Sequence, residues 1–158
     1  MALIPLWVAD MDFRCADEIV QALTARVAHP VYGYTEQSDA AIEAMLGFFQ
    51  RRHGLTVTAE QQLMLPCVVS GMRASVLALT EPGDKVIVFS PFYENYGADA
   101  ILSGADPIFV PLVPPTFDFD RNVLEDAFRQ HPKAIIVCNP SNPCGKVFTK
   151  DELLFIGG

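Results

Sequence analysis

The strongest constraint on this chain is a repeated alternation: short apolar runs closed by proline or glycine turns, separated by segments of helical length. Lys85-Val86-Ile87-Val88-Phe89 lies between the turn Glu81-Pro82-Gly83-Asp84 and Pro91, and Ala134-Ile135-Ile136-Val137-Cys138 runs into Asn139-Pro140. Continuous apolar runs of this length, rich in β-branched residues, predict strands buried on both faces. Ile108-Phe109-Val110 predicts a further strand, and the apolar stretch from Leu63 to Val69 predicts one over 63–66. Between the runs, residues 71–80, 93–103 and 122–130 predict helices. Thr149-Lys150-Asp151-Glu152 is a capping box that opens another. Strands alternating with helices predict βαβ units and a mostly parallel sheet, an α/β architecture.

The first part of the chain reads differently. Residues 16–28 carry Ile19, Val20, Leu23 and Val27 on one helical stripe, and His29-Pro30 should end that helix. Ser38 is a suitable N-cap for a second helix, with Ile42, Met45, Leu46 and Phe49 on one face and Gly54 as terminator. At the other end, the helix opened at Thr149 has only Leu153, Leu154 and Ile156 before Gly157-Gly158. Its apolar face has barely begun, so the expectation is an α/β sheet cut off before completion.

Composition excludes more than it assigns. Eleven Lys and Arg face nineteen Asp and Glu, for a net charge of -8. With no basic run, a nucleic-acid partner is not expected. Cys15, Cys67, Cys138 and Cys144 form no CxxC pair, and His29, His53 and His131 stand at no ligand spacing from them, so reduced thiols are expected and no metal site. The opening MALIPLWVADMDF lacks a basic n-region and carries Asp10 and Asp12, which argues against a signal peptide or a membrane span. A cytoplasmic protein is the resulting expectation. No G-x-G-x-x-G follows a strand, which sets a dinucleotide site aside.

Chemistry is concentrated in Asn139-Pro140-Ser141-Asn142-Pro143-Cys144-Gly145, directly after the last predicted strand. Two prolines and a glycine make a rigid loop, and two asparagines bring amide groups to a strand's carboxyl end. A plain turn needs only one Asn-Pro. The segment resembles the Asn-Pro-x-Asn-Pro-x-Gly loop of fold-type I, class I/II aminotransferase-like enzymes that use pyridoxal 5'-phosphate (PLP). The resemblance implies that Asn142 hydrogen-bonds the cofactor's ring oxygen and helps seat the substrate carboxylate. Cys144 stands where the family usually has threonine, a change expected to be tolerated.

A second match is Pro82-Gly83-Asp84-Lys85-Val86 followed by Ser90-Pro91-Phe92-Tyr93. By position Tyr93 is the aromatic that stacks on the pyridine ring, where an electron-rich face meets a protonated ring. The phosphate is expected where strand 63–66 hands over to the next helix, on Cys67-Val68-Val69, with Val68 and Val69 as donors. Cys67 replaces a common glycine and would be strained if its φ were positive; Ser70-Gly71-Met72 is the alternative register. Pro5 to Phe13 and Val31-Tyr32-Gly33-Tyr34-Thr35 resemble the cystathionine β-lyase (C–S lyase) branch. That likeness implies a substrate contact at Ala9 and a tyrosine reaching the partner subunit's cofactor phosphate, Tyr34 before Tyr32. Trp7 and Phe13 are expected to be packing residues.

The resemblance divides the chain into an arm and helix over 1–36, with substrate-entrance and dimer contacts, and a partial PLP-binding large domain over 37–158. It implies a homodimer acting on an amino acid, sulfur-containing in the lyase branch. The family's Schiff-base lysine has no counterpart here, because Lys85, Lys133, Lys146 and Lys150 all read as solvated charges in turns, loops or helix starts. Three readings therefore stand: part of a C–S β-lyase, part of a class I/II aminotransferase, or a catalytically inactive truncated product.

Overall fold

The computed structural model describes residues 3–4, 11–94 and 104–158. The chain divides into two compact units, Met1–Gln62 and Leu63–Gly158. The first holds helices α1 (Asp17–Ala28) and α2 (Asp39–His53) and a short 3-10 turn at Ala59–Gln61. Helix α1 stops at His29, ahead of Pro30, and Arg26 secures the adjoining segment by donating to the carbonyls of His29, Val31 and Tyr32. In α2 the Ser38 hydroxyl accepts from the Ala41 N–H, and Gly54 closes the helix at φ 65°, a left-handed cap that glycine adopts without strain. Ile42, Met45, Leu46 and Phe49 are half-buried, as the stripe predicts, yet neither helix buries a residue fully. Phe13 is 84% exposed, so it is not the packing residue expected; Trp7 lies outside the described residues.

The second unit is built on a four-stranded sheet of order β3-β2-β1-β4, with β1 Lys85–Ser90, β2 Asp106–Val113, β3 Asp118–Phe119 and β4 Ala134–Ile136. Strand β1 pairs in parallel with β2 on one side and β4 on the other, and β3 returns antiparallel to β2. Helix α3 (Val68–Leu79) precedes β1; α4 (Arg121–Phe128) joins β3 to β4; α5 (Lys150–Gly157) comes after the loop beyond β4. Both faces of β1 are covered. Ile87 and Phe89 enter a cluster with Val110, Leu112, Phe119, Leu124, Phe148 and Ile156, while Val86 and Val88 pack with Ala105 on the other face. Such burial explains why the run shows no polar alternation.

Three expectations need correction. Residues 63–66 form no strand: the run pairs with none of the four strands and is exposed, Leu63 by 79%. Helix α3 consequently starts at Val68, three residues before the predicted helix. Strand β4 is half-buried rather than buried, since among the described residues it has a neighbour on one side only. The two-residue β3 had no sequence signal. The helix expected over 93–103 falls mainly on residues outside those described. No helix among the described residues is long and apolar enough to cross a membrane.

Candidate functional site

Because β1 and β4 are parallel neighbours, their carboxyl ends open at the same edge of the sheet, where α/β folds place ligands. From β1 the chain leaves through Ser90-Pro91-Phe92-Tyr93. Phe92 stacks on Phe109 of β2, with ring centroids 5.3 Å apart and planes 7° from parallel. That anchors the loop on the sheet and leaves Tyr93 39% exposed at the edge. From β4 the chain leaves through Asn139 to Gly145. A small cleft separates the two loops, lined by Pro91 and Phe92 on one side and by Cys138, Ser141 and Asn142 on the other. Tyr93 and Asn142 thus leave adjacent strand ends.

The Asn-Pro loop is held from within. The side-chain oxygen of Asn139 accepts from the Phe148 N–H at 3.1 Å, so the first asparagine is structural. The buried Ser141 donates its N–H to the Lys146 carbonyl at 2.7 Å, and its own carbonyl accepts from the Gly145 N–H at 2.7 Å. Gly145 sits at φ 71°, where a side chain would be strained. The Cys144 thiol donates to the Ser141 hydroxyl at 3.3 Å, a bond that a threonine hydroxyl could also make, which accounts physically for cysteine at this position. The Asn142 amide is exposed and engages no partner among the described residues.

Lys146 corrects the sequence reading most sharply. It is not a solvated charge: its side chain is only 8% exposed, and its ammonium pairs with Asp118 of β3 and, at 2.8 Å, with Glu152 of α5. Hydrogen bonds to Asp118 and Glu152 raise its pKa above the ordinary lysine value despite the burial that opposes them. The Asp118 carboxyl is held low by Lys146 and Thr116. Burial alone would raise Glu152, but hydrogen bonds from Lys146 and Thr149 outweigh it and leave the carboxyl lowered. Glu152 also closes the capping box on the Thr149 N–H at 2.7 Å. The other lysines are no better placed for covalent chemistry. Lys85 and Lys133 stand at the amino ends of β1 and β4, with Lys85 donating to Gln130, and Lys150 is an exposed helix start.

Cys67 is the N-cap of α3 with φ -161°, an extended conformation that removes the anticipated strain. Its thiol meets the Ser70 hydroxyl at 3.2 Å, and that contact together with the Ser70 and Val69 N–H groups lowers the thiol pKa. Cys67, Val68 and Val69 are therefore N-cap, first and second positions, and the first intrahelical bond runs from the Gly71 N–H to the Cys67 carbonyl. Of the first-turn N–H groups, those of Val69 and Ser70 face the Cys67 thiol, and that of Val68 has no acceptor among the described residues. Val68 lines an open apolar groove with Leu63, Met64 and Met72, distinct from the cleft beside Asn142. In the first unit, the Arg26 guanidinium lies 4.8 Å from the Tyr32 ring centre, whereas Tyr34 is fully exposed. Ala9 lies outside the described residues.

Residues 3–156 match the family model for aminotransferase class I and II. The chain belongs to this family. It is 35% identical over 157 residues to cystathionine beta-lyase PatB of Bacillus subtilis (strain 168), covering 98% of this chain and 41% of that protein. Kynurenine--oxoglutarate transaminase 3 of Mus musculus is 40% identical over 92 residues, 52% of this chain and 20% of that one. The crystal structure of cystalysin from Treponema denticola, which contains a pyridoxal 5'-phosphate cofactor, superposes with a TM-score of 0.88 at 28% identity, over 98% of this chain and 40% of its own. The family's cofactor is PLP. The chain spans about two fifths of the length of PatB and cystalysin.

Proposed function

We propose that this chain forms the cofactor-binding front of a PLP-dependent enzyme acting on amino acids, a C–S β-lyase of the cystathionine β-lyase kind. The observation that carries the reading is the parallel pairing of β1 with β4, which brings the Tyr93 loop and the Asn142 loop to one edge of the sheet. The groups present fit a flat aromatic phosphate: an exposed phenol ring, an amide with no partner among the described residues, and the first-turn N–H groups of a helix. When bound, PLP supplies an electron sink for the pair left at the substrate's α-carbon. Tyr93 offers a ring face for stacking. Asn142 donates its amide to the ring oxygen and helps orient the substrate carboxylate, on a loop that its prolines keep rigid. Val68 and Val69 offer N–H groups to the phosphate; Tyr34 serves the phosphate of the partner in a homodimer; Ala9 borders the substrate.

The lyase assignment is favoured by identity: 35% to a cystathionine β-lyase over 98% of this chain, against 28% to the aspartate aminotransferase of Pinus pinaster over 96%. An aminotransferase is the second reading, supported by that equally long match. Supplying the full-length enzyme with cystathionine separates the readings: β-elimination with water yields homocysteine, pyruvate and ammonia in equal amounts. Transfer of the amino group to a 2-oxo acid, with no thiol released, would assign the aminotransferase. The 158-residue chain alone is expected to be inactive, since none of its four lysines is placed to hold the cofactor or to move the α-proton. With added PLP and cystathionine it should release no more thiol than free PLP does; turnover above that background would overturn this.

A further inference from the structure

The segment from Asn139 to Phe148 runs from β4 past β1 to β3. At its far end Phe148 is 4% exposed and packs on Phe89 of β1, with ring centroids 5.3 Å apart, and on Phe119 of β3. Asp118 pairs with Val113, the last residue of β2, so it stands at the same sheet edge as the two loops. The Lys146 ammonium therefore joins the loop to β3 through Asp118 and to α5 through Glu152, while the Lys146 carbonyl holds the Ser141 N–H, one residue before Asn142. Asn142 is suspended between this anchor and the Asn139–Phe148 bond and has no tether of its own among the described residues.

We propose that Lys146 is a positioning residue for Asn142, its ion pairs to Asp118 and Glu152 fixing the loop backbone from which the Asn142 amide is presented at the carboxyl ends of β1 and β4. The inference rests on the reading that Asn142 serves the cofactor. Its logic is geometric. A lysine taken from water for stability alone gains little, because desolvation offsets much of the pairing energy. Two carboxylates from separate elements on one ammonium do fix a register, and the backbone bond to Ser141 transmits that register to the next residue. The charged groups facing Lys146 are Asp118 and Glu152, with Thr116 and Thr149 completing their hydrogen bonds.

The test is a spectroscopic pH titration of the cofactor in the full-length holoenzyme. A hydrogen bond from Asn142 to the ring oxygen favours its ionised form, so Asn142→Ala should raise the apparent pKa of the bound chromophore. Lys146→Met should raise it in the same direction by a smaller amount, and Lys146→Arg should recover most of the change. The Lys146→Met, Asn142→Ala pair should move it no further than Asn142→Ala alone, as expected for residues acting in series. Asp118→Asn, at a mostly exposed side chain, supplies a second clamp variant should Lys146→Met fail to fold. Val86→Ala, buried in the separate cluster on the other face of β1 near its amino end, should lower the melting temperature without moving the titration. If Asn142→Ala shifts the titration while the folded clamp variants do not, or Val86→Ala shifts it as much, the positioning role is overturned and the Asn142 reading stands. If Asn142→Ala itself leaves the titration unmoved, the reading falls and the inference with it.

Discussion

The two edges of the sheet in the second unit differ in how completely their polar groups are used. At the amino edge the backbone groups of the turns are paired with one another. The Glu81 N–H donates to the Asp84 carboxylate, the Gly83 N–H to the Gly104 carbonyl, the Asp106 N–H to the Asp84 carbonyl and the Lys133 N–H to the Lys85 carbonyl. The carboxyl edge has equally firm loops, but at their tips the Tyr93 ring face is exposed and the Asn142 amide engages no partner among the described residues. A closed edge stabilises; an edge that is rigid yet open is arranged to receive something. Changes at the amino edge should therefore cost stability, and changes at the tips of the carboxyl edge should cost cofactor affinity.

The largest stability effect at the amino edge is expected from Gly83→Val. Gly83 sits at φ 89°, so a β-branched side chain should cost about 1–3 kcal/mol. Urea denaturation of the full-length enzyme would measure this, with PLP affinity unchanged. A loss of affinity at unchanged stability would erase the distinction between the edges. Asp84→Ala, which orphans the Glu81 N–H, should cost about 1 kcal/mol in the same assay.

The clamp beneath the carboxyl edge gives a pH signature. Asp118 and Glu152 have folded pKa values below their ordinary 3.8 and 4.5, so their contribution is complete above those values and is lost as pH falls through the lowered ones. Lys146 has a folded pKa above its ordinary 10.5, so its contribution is complete below that and is lost as pH rises through the raised value. The stability difference between the natural protein and Lys146→Met should be level between about pH 4.5 and 10.5 and should shrink on both sides. A difference independent of pH would mean that the pairs contribute nothing.

How much of the fold was legible in the sequence depended on the range of the interactions involved. Strand β1 was legible because burial on both faces leaves an unbroken apolar run, and the caps at Ser38, Gly54 and Thr149 were legible because each involves neighbours within one turn. That the Asn-Pro loop and the Tyr93 loop follow strands was legible from motif and spacing. Residues 63–66 misled, since an apolar run looks the same whether or not a strand edge is free to pair with it. The Lys146 clamp was illegible for a different reason: Asp118 lies 28 residues away on a strand too short to announce itself. Only the Glu152 half, placed by the capping box, carried any signal.

Binding of PLP at the carboxyl ends of β1 and β4 is tested most directly by the dissociation constant of PLP from the full-length enzyme with one residue changed at each edge. Tyr93→Ala, losing ring stacking of about 1 kcal/mol, should raise that constant about fivefold. Lys133→Ala, at the amino end of β4, should leave it unchanged. An unaltered constant for Tyr93→Ala, or a raised one for Lys133→Ala, would mean that PLP does not bind at the carboxyl edge.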